Sequence, residues 1–229
     1  MKIEKKFYKE INGYKIYLVN GILLRRTITL DDIKKGEDLT MADFLDYGIH
    51  STSKKRNVDE FPQIPKDEIW IDDELSGTEK QINILTALNH LELLKSGVND
   101  KIATKQADEY DDQLRDVLLC NRHANLKIKK YAKIGKGEDK VTVWIVDGDA
   151  VRDKFGSLYV KGGHGYVYDF VPKNEIWIAD MKDKDEFIAV LVHEFTERNL
   201  MKNEGMSYKD AHKKATLKEY WVRDDESKN

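Results

Sequence analysis

The sequence predicts an α+β protein built from two tandem related units, each a small antiparallel sheet with two packed helices. Three observations predict it: the chain matches itself at a nearly constant offset, the matched segments open on short β-branched and aromatic runs, and each then continues at helical spacing to a glycine. PKDEIWIDD, residues 65–73, recurs as PKNEIWIAD, residues 172–180, and Leu93 and Lys95 then fall on Leu200 and Lys202. After a one-residue gap Gly97, Ala103, Lys105 and Ala107 fall on Gly205, Ala211, Lys213 and Ala215, with Arg115 and Asp116 on Arg223 and Asp224. Upstream, YLVNGILLR, residues 17–25, pairs with WIVDGDAVR, residues 144–152. A first copy over 1–116, carrying an insertion at about 27–64, a helix end and linker over 117–140, and a second copy over 141–229 follow.

Taking the elements in order, Tyr14 to Val19 and Val141 to Val146 read as strands. Each ends in Asn-Gly or Asp-Gly, a strong hairpin signal, so a return strand is expected after it. The EIWI segments suit buried strands, with Trp144 and Trp177 read as core. Asp183 with Glu186 resembles a capping box. Phe187, Ile188, Val190, Leu191, Phe195, Leu200 and Met201 then recur at helical spacing as far as Gly205. Ser207 with Asp210 starts a second helix at Tyr208.

Composition bounds the function classes. The 229 residues are 40% hydrophobic and 35% charged with a formal charge of −3, which provides no global field for nucleic acid or an anionic membrane. The single cysteine, Cys120, excludes an intrachain disulfide and fits a reducing compartment. MKIEKKFYKE has no signal-peptide core and no run of about 18 apolar residues occurs, so a cytoplasmic protein is expected.

The chemistry concentrates in FIAVLVHEFTER. His193 and Glu194 interrupt an apolar run, where unpartnered polar groups cost several kcal/mol, so they must be hydrogen-bonded, ion-paired or bound to a metal. His193 and Glu197 are one helical turn apart and share a face, while Glu194 lies about 100° round. This is HExxH zinc-hydrolase spacing with glutamate in place of the second histidine. Two histidines and a glutamate make a zinc set, and His212, flanked by Ala211 and Ala215 early in the next helix, is the candidate third ligand. Glu194 is then the candidate catalytic base for a metal-bound water.

The structural alternative makes His193 and Glu194 a satisfied core network with Arg198 or Glu175. Against it stands the first copy, where the four positions of His193, Glu194, Glu197 and His212 hold Thr86, Ala87, His90 and Thr104 while the apolar frame is kept. Arg198 and His164, the latter between glycines in KGGHGYVYDF, are candidate substrate-contacting residues or, for His164, a fourth ligand; His50 is its candidate counterpart.

GGHGYVYDFVPKNEIWIADM, followed by LVHEFTERNLM and MSYKDAHKKA, resembles small HExxH-like zinc metallopeptidase-like domains of phages and mobile elements, here with HExxE. That resemblance covers the second copy and implies a zincin-like unit there, zinc or another divalent metal as cofactor, and a peptide or protein substrate. The competing expectation is a non-enzymatic binding or inhibitor protein that uses the charged insertion for recognition and in which the helix cluster is structural.

Overall fold

The computed structural model describes residues 4–25, 54–55, 58–59, 64–75, 77–119, 128–134, 140–156 and 159–226. They divide into two compact mixed α+β units, one with its described residues between 4 and 119 and the other between 128 and 226. Most of the expected insertion at 27–64, with His50, and Cys120 lie outside the described residues.

In the first unit β1 (Lys5–Ile11) and β2 (Tyr14–Val19) form an antiparallel hairpin. Its turn is Asn12-Gly13, with φ of 53° and 82°, the left-handed pair that a two-residue turn matching strand twist demands. A short helix, α1 (Gly21–Arg25), comes next, and a two-residue pair, β3 (Lys54–Lys55) with β4 (Val58–Asp59), precedes β5 (Glu68–Asp72). β5 runs parallel to β2, giving the order β1-β2-β5. Helices α2 (Gly77–Lys95) and α3 (Asp100–Leu119) follow, and Ile84, Ala87, Leu88 and Leu91 of α2 pack with Ile16, Ile69 and Ile71.

The second unit also runs antiparallel strand pair, helix, parallel strand and two helices, but where the first has the separate β3-β4 pair it has one strand that joins the main sheet. β6 (Ile128–Ile134) and β7 (Val141–Val146) are antiparallel, then come α4 (Gly148–Phe155), β8 (Gly162–His164) and β9 (Glu175–Ala179). β9 is parallel to β7 and antiparallel to β8, and the sheet reads β6-β7-β9-β8. α5 (Lys184–Glu204) and α6 (Tyr208–Glu226) complete it. The registers correspond: Tyr17 pairs with Trp70 as Trp144 does with Trp177, and both hairpins carry an irregularity, at Phe7/Lys9 and at Lys130/Ala132.

Three expectations are corrected. The sheets are mixed, not antiparallel, because the two strands recognised in each unit are parallel neighbours joined by a long crossover. Asn20-Gly21 and Asp147-Gly148 do not turn hairpins. Their side chains reach forward instead, Asn20 Oδ1 accepting from the Leu23 N–H at 2.9 Å and Asp147 Oδ1 from that of Ala150 at 3.1 Å, and so start helices. The expected linker at 117–140 contains β6, whose lysine-rich composition hid its pattern and suits a sheet edge.

The boundaries of α5 are set as the sequence predicts. Asp183 caps the Asp185 and Glu186 N–H groups at 3.0 Å each, and Gly205 closes the far end with φ 63°. Ser207 then accepts from the Asp210 N–H at 3.2 Å and begins α6 after the short turn 205–207. Ala211 and Ala215 are fully buried, so the two helix backbones approach closely along that line. One face of the sheet packs on Val190, Phe187, Leu191 and Phe195 of α5. The other holds Val151 of α4 and an aromatic group that includes Tyr159, Tyr168, Phe170, Trp144 and Trp177; Trp177 is a core residue as expected, whereas Trp144 is only partly buried.

Each helix pair also encloses an acid–arginine–acid triad. In the first unit Arg115 binds Glu79 at 2.6 Å and Asp111 at 2.5 Å; in the second Arg223 binds Glu186 at 3.0 Å and Glu219 at 2.6 Å. Among the described residues no helix is long and apolar enough to cross a membrane.

Candidate metal centre

α5 and α6 bring the three predicted ligands together. His212 Nδ1 lies 2.6 Å from Glu197 Oε2 and 3.2 Å from His193 Nε2, and His193 Nε2 lies 3.5 Å from the same Glu197 oxygen. Ligand atoms around a tetrahedral zinc, each about 2.0–2.2 Å from it, sit roughly 3.3–3.5 Å from one another. Two of the three separations are already close to that range, and the third is a hydrogen bond that a cation would replace.

The orientation of the His193 ring also suits ligation. Its Nδ1 donates to Glu219 Oε2 at 2.8 Å, so Nε2 faces Glu197 and His212; on the protonated ring Nε2 donates to Glu197, and a cation bound there would displace that proton. Glu219 is fixed in turn by Arg223, and Arg223 by Glu186 at 3.0 Å. Glu219 is a further member of the cluster that the helix spacing of α5 does not point to. Its signal is a shared spacing: Glu219 follows His212 by seven residues, two turns on the same face, as Asp111 follows Thr104. Asp at one position and Glu at the other leave no identity to mark the pair.

The helix pair of the first unit also holds a polar cluster, and it is electrically different. Thr86 Oγ1 donates to Asp111 at 3.2 Å where His193 meets Glu219, and Thr104 faces His90 at 3.4 Å where His212 meets Glu197. Burial lowers the His90 pKa and favours a neutral ring there, whereas Glu197 supplies a carboxylate.

The donors of the second cluster fit a cation, with one cost. Ligation through His212 Nδ1 puts that ring's hydrogen on Nε2, which is buried with no hydrogen-bond partner among the described residues. The donor set is two imidazoles and a carboxylate, the set zinc accepts.

Glu194 lies on the β8 side of the cluster. A Cβ at Gly162 would meet Glu194 Cγ at 2.7 Å and Oε1 at 2.8 Å, so the β8 backbone can lie against this carboxyl only because residue 162 is glycine. Burial raises the Glu194 pKa, and against the pull of His193 the charges of Glu197 and Glu219 add to the rise, to about 8. A carboxyl displaced toward neutrality is suited to exchange a proton near neutral pH. Burial opposes charge on His193 too, but Glu219 and Glu197 outweigh it and raise its pKa to about 10. Glu197 is held well below the ordinary range, because hydrogen bonds from His164, His193 and His212 overcome its burial. Glu219 is likewise lowered, through His193 and Arg223.

Arg198 does different work from that expected. It is buried, and its Nε donates to the Lys173 carbonyl at 2.9 Å, as does its Nη2, so it fastens the loop before β9. Glu175 accepts from Trp177 Nε1 at 2.8 Å. The hydrogen-bonded network around His193 runs through Glu219 and Arg223 on one side and through Glu197, His164 and His212 on the other.

The shifts set a pH dependence for the chelated protein. Glu194, raised from 4.5 to about 8, and His193, raised from 6.5 to about 10, bind their protons more tightly when folded. The stability they contribute is therefore complete below the lower value of each pair and lost as pH rises through the higher. Glu197 and Glu219 act oppositely, contributing above their ordinary value and losing that contribution in acid. Thermal unfolding in chelator is expected to shift to lower temperature between about pH 6 and pH 9, less steeply in Glu194→Gln. A midpoint that rises over this interval would contradict the assignment.

Compared with protein-family models, curated proteins and solved structures, the chain matches none of them.

Proposed function

We propose that the second unit is a metal-dependent hydrolase, peptidase-like in its chemistry, in which His193, Glu197 and His212 hold zinc or a similar divalent cation and Glu194 is the general base. The same proposal takes the two units as tandem copies, the second zincin-like and the first without the site. The observation that carries it is the convergence of three ligand-type side chains from two helices, one of them oriented by a buried carboxylate. The correspondence of strand order and register, with all four polar positions changed together, supports the tandem relation.

Bound there, a divalent cation supplies Lewis acidity toward a carbonyl oxygen and an attacking water. This chain's own residues do the rest. Glu219 fixes the His193 ring so that Nε2 faces the cluster. Glu194, one residue along α5 and pressed against β8, accepts the water's proton and returns it to the leaving amine. An added positive charge nearby favours the ionised, basic form of its carboxyl. A peptide or protein is the proposed substrate class.

The test combines metal analysis with turnover. Protein purified without added metal is expected to hold about one divalent cation per chain and to cleave a fluorescent unstructured protein substrate. Glu194→Gln should keep the cation and lose about 10²–10⁴-fold in turnover. Sub-stoichiometric metal that is the same in wild type and His193→Ala would remove the metal site. Full metal with equal turnover in Glu194→Gln would remove the catalytic assignment.

A further inference from the structure

β8 brings one more side chain into the cluster. His164 is 0% exposed, and its Nε2 lies 3.0 Å from Glu197 Oε1, the carboxylate oxygen that His212 does not use. Ligand-type atoms of His164, Glu194 and Glu197 all fall within 4.8 Å of one another, so these residues look at first like a second metal-binding set or the completion of the first.

The backbone decides otherwise. The Tyr166 N–H donates to His164 Nδ1 at 3.2 Å, and the turn that presents it is closed by the Val167 and Tyr168 N–H groups, each 3.0 Å from the His164 carbonyl. A ring nitrogen that accepts an N–H carries no hydrogen itself. The neutral ring must then carry its hydrogen on Nε2, which becomes a donor with no lone pair to offer a cation. Glu197 Oε1 is the acceptor in front of it.

We infer that His164 is a positioning residue: an Nε2–H donor that holds Glu197 by Oε1 and turns Oε2 toward His193 and His212, and not a fourth ligand. For the cation this rests on the function proposed above, whereas the tautomer does not depend on it. The inference sharpens that reading, because a site with four protein ligands is closed and structural, while three protein ligands leave a position for substrate or water. β8 therefore orients a ligand and does not close the site.

Two measurements on the full chain test it. Long-range ¹H–¹⁵N correlation of the histidine rings, with His164 assigned by its loss in His164→Ala, is expected to give a protonated, pyrrole-type Nε2 and an unprotonated Nδ1, in chelator and with zinc alike. The reverse pattern in either state would overturn the inference. Zinc affinity, read by competition with a chelating indicator, is expected to fall about 10–100-fold in His164→Ala at unchanged stoichiometry. His164→Gln, whose amide N–H can reach the same oxygen, is expected to recover most of that loss. Loss of zinc in both variants as complete as in His193→Ala would make His164 a ligand and overturn the inference. If wild type binds no zinc, the hydrolase reading fails, and the ring spectra in chelator still decide whether His164 donates to Glu197.

Discussion

Alanine at His193 is expected to lower zinc affinity by more than about 100-fold, beyond the 10–100-fold that loss of an outer partner costs. The difference in kind explains the difference in size. His193 offers Nε2 to the cluster and spends Nδ1 on Glu219, so its removal deletes a ligand and leaves Glu219 held by Arg223 alone. Glu219→Gln keeps the ligand but weakens the hold on its tautomer, and belongs in the smaller class. Competition titration of wild type, His193→Ala and Glu219→Gln against a chelating indicator gives the order. Affinities that do not separate wild type from His193→Ala would show that the ring lies near the cation site without serving it.

Methionine at Arg115 is expected to destabilise the first unit by about 3–5 kcal/mol, a large share of the 5–15 kcal/mol that holds an ordinary domain together. Arg115 lies between Glu79 and Asp111, and the three side chains are 4%, 2% and 0% exposed. Without the guanidinium two carboxylates share a buried space, and burial already raises the Asp111 pKa with the arginine in place. Denaturant unfolding followed by circular dichroism measures the loss, with zinc content expected to stay that of wild type. A change below about 1 kcal/mol would mean that water reaches the triad and that its burial does not govern its energy.

The parts of the fold legible in the sequence were those whose signal is local. Asp183, Gly205 and Ser207 mark helix boundaries through contacts within a few residues, and all three act as expected. The two EIWI strands stand out because both faces of each are buried. The features whose local signal misleads depend on partners distant in sequence. Asn20 and Asp147 can turn a hairpin or cap a helix with the same side chain, and the choice belongs to the parallel strand that the chain must reach next. β6 resembles a linker until its pairing with β7 is known.

The candidate site divides in the same way. His193 and Glu197 are legible from spacing on one helix, and His212 from the short turn that folds α6 back on α5. The candidate roles the sequence suggests for Arg198 and His164, substrate contact or a fourth ligand, differ from their contacts in the structure, because these involve the Lys173 carbonyl and the Tyr166 N–H, backbone groups that sequence does not place. Glu219 was hidden because its exchange with Asp111 keeps the charge and changes the letter.

The hydrogen bond from Thr86 to Asp111 has a practical meaning for protein engineering. An acid anchored by arginine already waits behind residue 86, in the relation that Glu219 bears to His193. Grafting imidazoles at Thr86 and Thr104 and a carboxylate at His90 would import the inner donors into a host whose outer support is in place, and the native second unit would serve as the internal calibrant.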